Sequence, residues 1–373
     1  MCRLVVLVAL SLSACMGLVG ETPSPGDDDA GASVDASTMF ELDSGPMDAS
    51  VDDAAVDAGG AVDAGFDAGL VSTTDAGSRL VFAIGGQDMR HLVSFDGVTW
   101  SNDTWVAPNG EDNAFGGVAI GKGGIVMSGD PGIVRSTDGV NFSVVQMRPS
   151  RFAFHGSALA YDNDQFVLVA QDKGWRSADG ITWESVTDTP GMSGHWHALA
   201  FGNGHWIALG DNVRKLSENG LDWHDPTPFA AEQFRDVAFG NGRFLAVGKE
   251  VDAGWVATST DGQNWTTLGS IPTLYETGLS SVAFGNGVFI TSTCCATLSS
   301  PDGVTWTQIA NNGAGGKIVF AGDRFVSSGW RTEAKVLLPD AGRFTSTVTG
   351  NQPNPYDDAG IAPWFTGIGA GFL

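Results

Sequence analysis

Histidine is scarce in this sequence, six residues in 373, yet two of them stand one residue apart, His195 and His197. On an extended strand that spacing puts both imidazoles on one side. A third imidazole, His155, and a guanidinium, Arg235, fall at related positions once the chain is aligned on its repeat. His155, His195 and Gln233 then share one position, and His197 and Arg235 share another two residues on. Trp196 and Phe234 lie between these, and the carboxylates Asp172 and Asp211 belong to loops expected on the same face. Imidazole, guanidinium, carboxylate and exposed aromatic groups in one arc suit a polar or carbohydrate ligand, or acid–base work on one. A His/carboxylate metal site needs a third ligand that the spacing does not supply, so no metal and no cofactor is expected. The structural alternative is that Asp begins turns, His-x-His belongs to a half-buried strand, and the aromatics pack between elements.

Other chemistry-bearing patterns are sparse. Cys294 and Cys295 are adjacent, which allows a strained vicinal disulfide in an oxidising compartment or else two thiols. There is no Gly-x-Ser-x-Gly elbow for a serine hydrolase. Gly367-x-Gly-x-Gly371 has no strand–helix context, which removes a nucleotide loop. The net charge is −24 with only 19 Lys and Arg, and no basic stripe is present, which argues against nucleic acid as a partner.

The elements that must position the arc are announced by a repeat. Ser-x-Asp-Gly-x-x-Trp occurs at Ser94–Trp100, Ser177–Trp183, Ser259–Trp265 and Ser300–Trp306, with looser copies at Ser136–Phe142 and Ser217–Trp223. The Ser positions step by 42, 41, 40, 42 and 41. A second phrase precedes each motif, clearest in Val237-Ala-Phe-Gly-Asn-Gly242. Asn-Gly between two apolar runs predicts a hairpin, because both turn positions need positive φ. Each unit thus reads as strand A, a tight turn, strand B, a loop, strand C, the Asp-Gly turn and strand D. Four short antiparallel strands at this period predict a β-propeller blade. The first unit lacks strand A, and Phe365–Leu373 is a worn copy of the missing phrase. Seven four-stranded blades closed by that C-terminal strand are therefore expected, in an all-β domain over residues 79–373. An open solenoid is the alternative.

In this frame Asp96, Asp138, Asp179, Asn219, Asp261 and Asp302 are turn residues, accepting bonds from the N–H groups that follow. The A–B and C–D turns share one face, and the D–A and B–C loops share the other. That second face holds His155, His195, His197 and Arg235, with Asp88, Asp130, Asp172, Asp211 and Glu250 from the B–C loops.

The repeated motif resembles the Asp-box, or bacterial neuraminidase repeat, of sialidase-like and sortilin-like propellers, and the repeats of photosystem II assembly factor-like propellers. In the family one further residue usually separates Asp from Gly, whereas here the two are contiguous. A sialidase would also need three Arg, a Tyr–Glu pair and an Asp acid. This chain has three Tyr (Tyr161, Tyr275, Tyr356) and no Phe/Tyr-Arg-Ile-Pro segment. Tyr275-Glu276 is the one adjacent pair of the right types.

The N-terminus has a different character. Arg3, the apolar run Leu4–Leu12 and Leu12-Ser13-Ala14-Cys15 read as an export signal over residues 1–15, too short to span a bilayer. Leu-Ser-Ala-Cys resembles the bacterial lipoprotein signal, which implies lipid on Cys15. Residue 16 is Met and not Asp, which favours the outer over the inner membrane. Residues 16–78 form an Asp/Ala/Gly-rich tract, with 14 acidic groups and no basic one over 21–78. Such a composition cannot repay its ordering entropy, so a disordered linker is expected. The resulting expectation is an exported, lipid-anchored, non-catalytic propeller of the cell envelope that binds a protein or glycan partner. The alternative is a glycan-active enzyme, a glycoside hydrolase or lyase, using the His/Arg arc.

Overall fold

Asn203-Gly204, Asn241-Gly242 and Asn286-Gly287 all have left-handed backbone, with φ of 47° and 80°, 49° and 71°, and 47° and 76°. These are the two-residue hairpin turns that join strand A to strand B in the fourth, fifth and sixth blades. The computed structural model describes residues 78–87, 90–104, 114–129, 132–147, 157–170, 173–185, 195–211, 213–227, 233–250, 253–271, 278–293, 295–329, 334–337, 344–347 and 365–373. The export signal, Cys15 and the acidic tract lie outside the described residues.

The fifth blade shows the full pattern. Strand A (Gln233–Gly240), strand B (Arg243–Glu250), strand C (Ala253–Ser259) and strand D (Thr266–Ile271) pair antiparallel in order. The register sets Val237 opposite Ala246 and Phe244 opposite Ser259. Seven such sheets are present; the fourth has three strands plus a single bridge between Leu216 and His224. The first blade takes strand A from the C-terminus, Phe365–Phe372, which pairs with Leu80–Gly86. The inner strands contact one another in ring order, the seventh meeting the first and the first meeting the second. The ring is closed, which removes the solenoid alternative.

The core is divided among the blade interfaces. Seven apolar clusters each draw on two successive blades. One of them joins Ile207, Leu209 and Leu216 of the fourth blade to Phe234, Phe244, Trp255 and Trp265 of the fifth. Because no blade owns a core, no blade can bury its faces alone, and closing the ring completes the last interface.

The turn between strands C and D is built as the residue types demand. Ser259 Oγ accepts from the Gly262 N–H at 2.8 Å, and Asp261 Oδ1 accepts from the Gln263 and Asn264 N–H groups at 2.9 and 2.7 Å. Trp265 Nε1 donates to the Gly262 carbonyl at 2.8 Å. Asn219 makes the same pair of bonds, to Leu221 and Asp222, through its amide oxygen. Asp96, Asp138, Asp179 and Asp302 repeat the pattern. All six are turn residues. Burial alone would raise the Asp261 carboxyl, but the N–H groups of Asn264 and Gln263 and the Asn264 and Ser259 side chains override it and hold it at about 2.

These turns are also tied between blades. Asn203 Nδ2 donates to the Thr260 carbonyl at 2.8 Å, and Asn241 Nδ2 donates to the Pro301 carbonyl at 2.7 Å. Arg324 of the seventh blade donates to the Asp96 carbonyl of the first at 2.7 Å. The turn-bearing face is thus occupied by its own structural bonds. The chain enters the propeller on that face: Arg79 N–H donates to the Leu373 carbonyl at 2.7 Å and receives the reciprocal bond at 2.9 Å.

The glycines of the A-phrase do two jobs. The second, as in Gly242, supplies positive φ. The first, as in Gly240, makes room for a ring of the next blade: a Cβ there would sit 2.1 Å from the Phe284 ring. Gly202 meets Phe239, and Gly285 meets Phe320, in the same way. Gly367-x-Gly-x-Gly371 has a related purpose. A Cβ at Gly369 or Gly371 would lie 2.9 Å from the carbonyl of Val118 or Ile120 on the second blade's inner strand. The closing strand needs glycine for that backbone-to-backbone seam.

Candidate functional site at the channel mouth

Strand A is the edge strand of its sheet in every blade, and the seven inner strands surround a channel of about 890 Å³. Their unpaired backbone edges therefore face the lumen. At the end away from the turns, four of these strands carry a β-bulge at one register position. The bulges lie at Phe115/Gly117, Trp196/Ala198, Phe234/Asp236 and, on the closing strand, Phe365/Gly367. A bulge re-aims the extra residue, as at Gly116, His197 and Arg235. This device distinguishes the mouth from the repeating scaffold.

His197 Nε2 lies 2.7 Å from Asp211 Oδ1, across the B–C loop of its own blade. Burial pushes the His197 imidazole below its ordinary value; the bond to Asp211 opposes this, and the charges on Lys317 and Arg235 add to it. The bond from His197 draws the Asp211 carboxyl below the usual carboxylate range, against a smaller effect of burial. His195 is exposed, and its carbonyl accepts the Asp211 N–H at 3.0 Å, which fixes the loop that carries the carboxylate. Arg235 is exposed beside them.

A second cluster sits deeper and was not legible as a site in the sequence. Lys317 Nζ lies 3.0 Å from Asp236 Oδ1 and also donates to the His197 carbonyl. Lys317 belongs to the seventh blade, Asp236 to the fifth and His197 to the fourth, so this side chain crosses the channel. Asp236 Oδ2 accepts from the Ser281 hydroxyl and from the Val282 N–H, the latter at 3.0 Å. Ser281 Oγ in turn accepts the Ile318 N–H at 2.8 Å. Four successive blades are thereby bonded together around one buried carboxylate. A signal was present: the residue just before the A-phrase is Gly117, Ala158, Ala198 and Gly367 in four units but Asp236, Ser281 and Lys317 in three successive ones.

The structure thus brings His195, His197, Asp211 and Arg235 to one mouth. It does not bring the two aromatics with them. Trp196 is 1 % exposed and Phe234 2 % exposed, so the expectation of exposed rings at the site is corrected. The reason is the pleat at the bulge: when His197 and Arg235 turn outward, the residue before each turns into the blade interface. Phe234 packs edge-on against Trp255, with ring centroids 5.2 Å apart, and Trp196 joins the cluster between the third and fourth blades. His155, Asp88, Asp130, Asp172, Cys294, Tyr275 and Glu276 lie outside the described residues. Cys295 is half-buried in the B–C loop of the sixth blade, where its N–H donates to Thr293 Oγ1 at 3.1 Å. Among the described residues no group of three or more His, Cys, Asp or Glu is placed to hold a metal ion.

No protein-family model matches the chain, and no curated protein matches it. Solved structures do. A catalytically inactive virginiamycin B lyase from Staphylococcus aureus with quinupristin is 13 % identical, with a TM-score of 0.53, covering 63 % of this chain and 84 % of its own. YCF48 bound to D1 peptide is 17 % identical, with a TM-score of 0.50, covering 67 % of this chain and 88 % of its own. The computationally designed Ika8 protein is 13 % identical, with a TM-score of 0.50, covering 77 % and 96 %. One is a lyase, one is bound to a peptide and one is a design, so what they share with this chain is architecture. The chain takes its place among the β-propellers.

Proposed function

We propose that this protein is a tethered, non-catalytic propeller of the cell envelope that binds a protein or glycan partner at the mouth bearing His195, His197, Asp211 and Arg235. The observation that carries the reading is that each described carboxylate at the mouth is already engaged. Asp211 is bonded to His197, and Asp236 is held by Ser281, Val282 and Lys317. A carboxyl that does general acid–base work must be poised to exchange a proton near the operating pH. Asp211 is drawn the other way, below the usual carboxylate range, by its bond to His197. Such groups suit fixed recognition.

The chain's entry point supports the same reading. Arg79 and Leu373 meet on the turn-bearing face. The proposed tether, an acidic tract leading to a lipid on Cys15 in the outer membrane, would join the propeller at Arg79 and not at the mouth.

The test is a glycan-array, envelope-fraction binding and activity screen on the fragment from Arg79, repeated with His195→Ala plus Arg235→Ala. Binding without turnover, lost in the double variant, is the expected result. Turnover lost in the double variant would assign a glycoside hydrolase or lyase instead, and an unaffected double variant would remove the site. For the tether, Cys15→Ser should shift the chain from the membrane to the soluble fraction.

A further inference from the structure

We propose that the group recognised at this mouth is an acidic polypeptide segment, with a carboxylate bound by Arg235. The inference rests on the mouth being the binding site. It deepens that reading by naming the partner's chemistry.

Three observations support it. Among the described residues Arg235 has no hydrogen-bond or ion-pair partner, while its neighbours at the mouth are paired off, His197 with Asp211 and Lys317 with Asp236. This exposed guanidinium on a bulge, in a chain with only 19 Lys and Arg, acts on Asp211 and His197 through its charge but has no hydrogen bond of its own among the described residues. Its planar fork matches a carboxylate. Second, among the described residues the two rings expected beside the arc, Trp196 and Phe234, are buried and offer a sugar no stacking face. That favours a peptide over a glycan. Third, the inner strands present free backbone edges, and one carbonyl of those edges, that of His197, already accepts a charged donor, Lys317. An extended peptide can use such edges as well as the charge.

General attraction cannot stand in for the specific contact, because the net charge of −24 works against an acidic ligand. The experiment is a fluorescence-anisotropy titration of the full chain with a labelled oligo-glutamate peptide at low salt, with unlabelled oligogalacturonate as competitor. The variants are Arg235→Gln at the mouth and Lys122→Gln, a charge-matched change in the A–B turn of the second blade. The expected result is binding weakened about tenfold or more by Arg235→Gln, the weight of one charge-assisted hydrogen bond, and unchanged by Lys122→Gln. A melting temperature equal to that of the unsubstituted chain shows that Arg235→Gln leaves the fold intact. Absence of peptide binding, or equal weakening by both substitutions, overturns the inference. Arg235-dependent binding of oligogalacturonate in preference to the peptide overturns it too, while leaving the mouth as the site. If binding of every probe is also unaffected by His195→Ala plus Arg235→Ala, both readings fall.

Discussion

Lys317 and Asp236 lie 81 residues apart in the chain, and their side chains meet inside the channel, Nζ to Oδ1, at 3.0 Å. The Asp236 side chain is 8 % exposed and that of Lys317 30 %. Removing the ammonium leaves a buried carboxylate short of a partner. Lys317→Met is expected to cost about 2 kcal/mol, below the roughly 3–5 kcal/mol of a fully buried pair because the lysine is partly hydrated. Urea unfolding measures it. Adding Asp236→Asn should recover part of the loss; a double variant worse than the sum of its parts would show that the pair is not coupled in this way.

Trp265 is 9 % exposed and anchored by its indole N–H to Gly262. Trp265→Ala should cost about 3–5 kcal/mol and lower the melting temperature without a selective effect on ligand binding. Unchanged melting with lost binding would reverse the assignment of the repeated motif to scaffold.

Gly240 and Gly242 stand two residues apart and should fail differently. Gly240→Ala drives a methyl into the Phe284 ring and is expected to cost about 1–3 kcal/mol. Gly242→Ala meets nothing within 4 Å but must hold φ at +71°, at about 1–2 kcal/mol. Combining each with Phe284→Leu separates the causes in a thermal melt: the first should be partly rescued and the second should not.

The turn carboxylates predict a specific acid response. The Asp96 and Asp261 carboxyls are held at about 2 in the folded chain, against about 4 when unfolded. A depressed carboxyl contributes stability that is complete above the unfolded value and is lost as pH falls toward the folded one. The melting temperature should therefore drop between about pH 4 and about pH 2. Asp261→Asn, which copies the turn that Asn219 already forms in the fourth blade, should keep the turn bonds at neutral pH and make that drop shallower.

The closing strand is testable by truncation. Deleting Phe365–Leu373 exposes the edge of Leu80–Gly86 and opens the interface to the second blade. The expected outcome is loss of the single cooperative transition, seen by circular dichroism, with aggregation through the freed edge. Gly369→Val should approach the same phenotype, because its side chain would collide with the Val118 carbonyl.

Much of this fold is legible in the sequence because its determinants are local and recur. The Asn-Gly turns, the Ser-x-Asp-Gly bonds and the alternation of each strand are settled within a dozen residues, and the period of about 41 counts the blades. The face that bears the site follows from strand direction alone. Tertiary structure decided everything that joins one blade to another. It turned Trp196 and Phe234 inward at bulges that leave no mark in an apolar–polar pattern. It gave Gly240 a purpose beyond its turn, since the ring that needs the space belongs to the next blade. It also brought Lys317 across the lumen to Asp236 and His197, a meeting that depends on ring closure and on the register of three separate strands. No spacing within one repeat encodes that register.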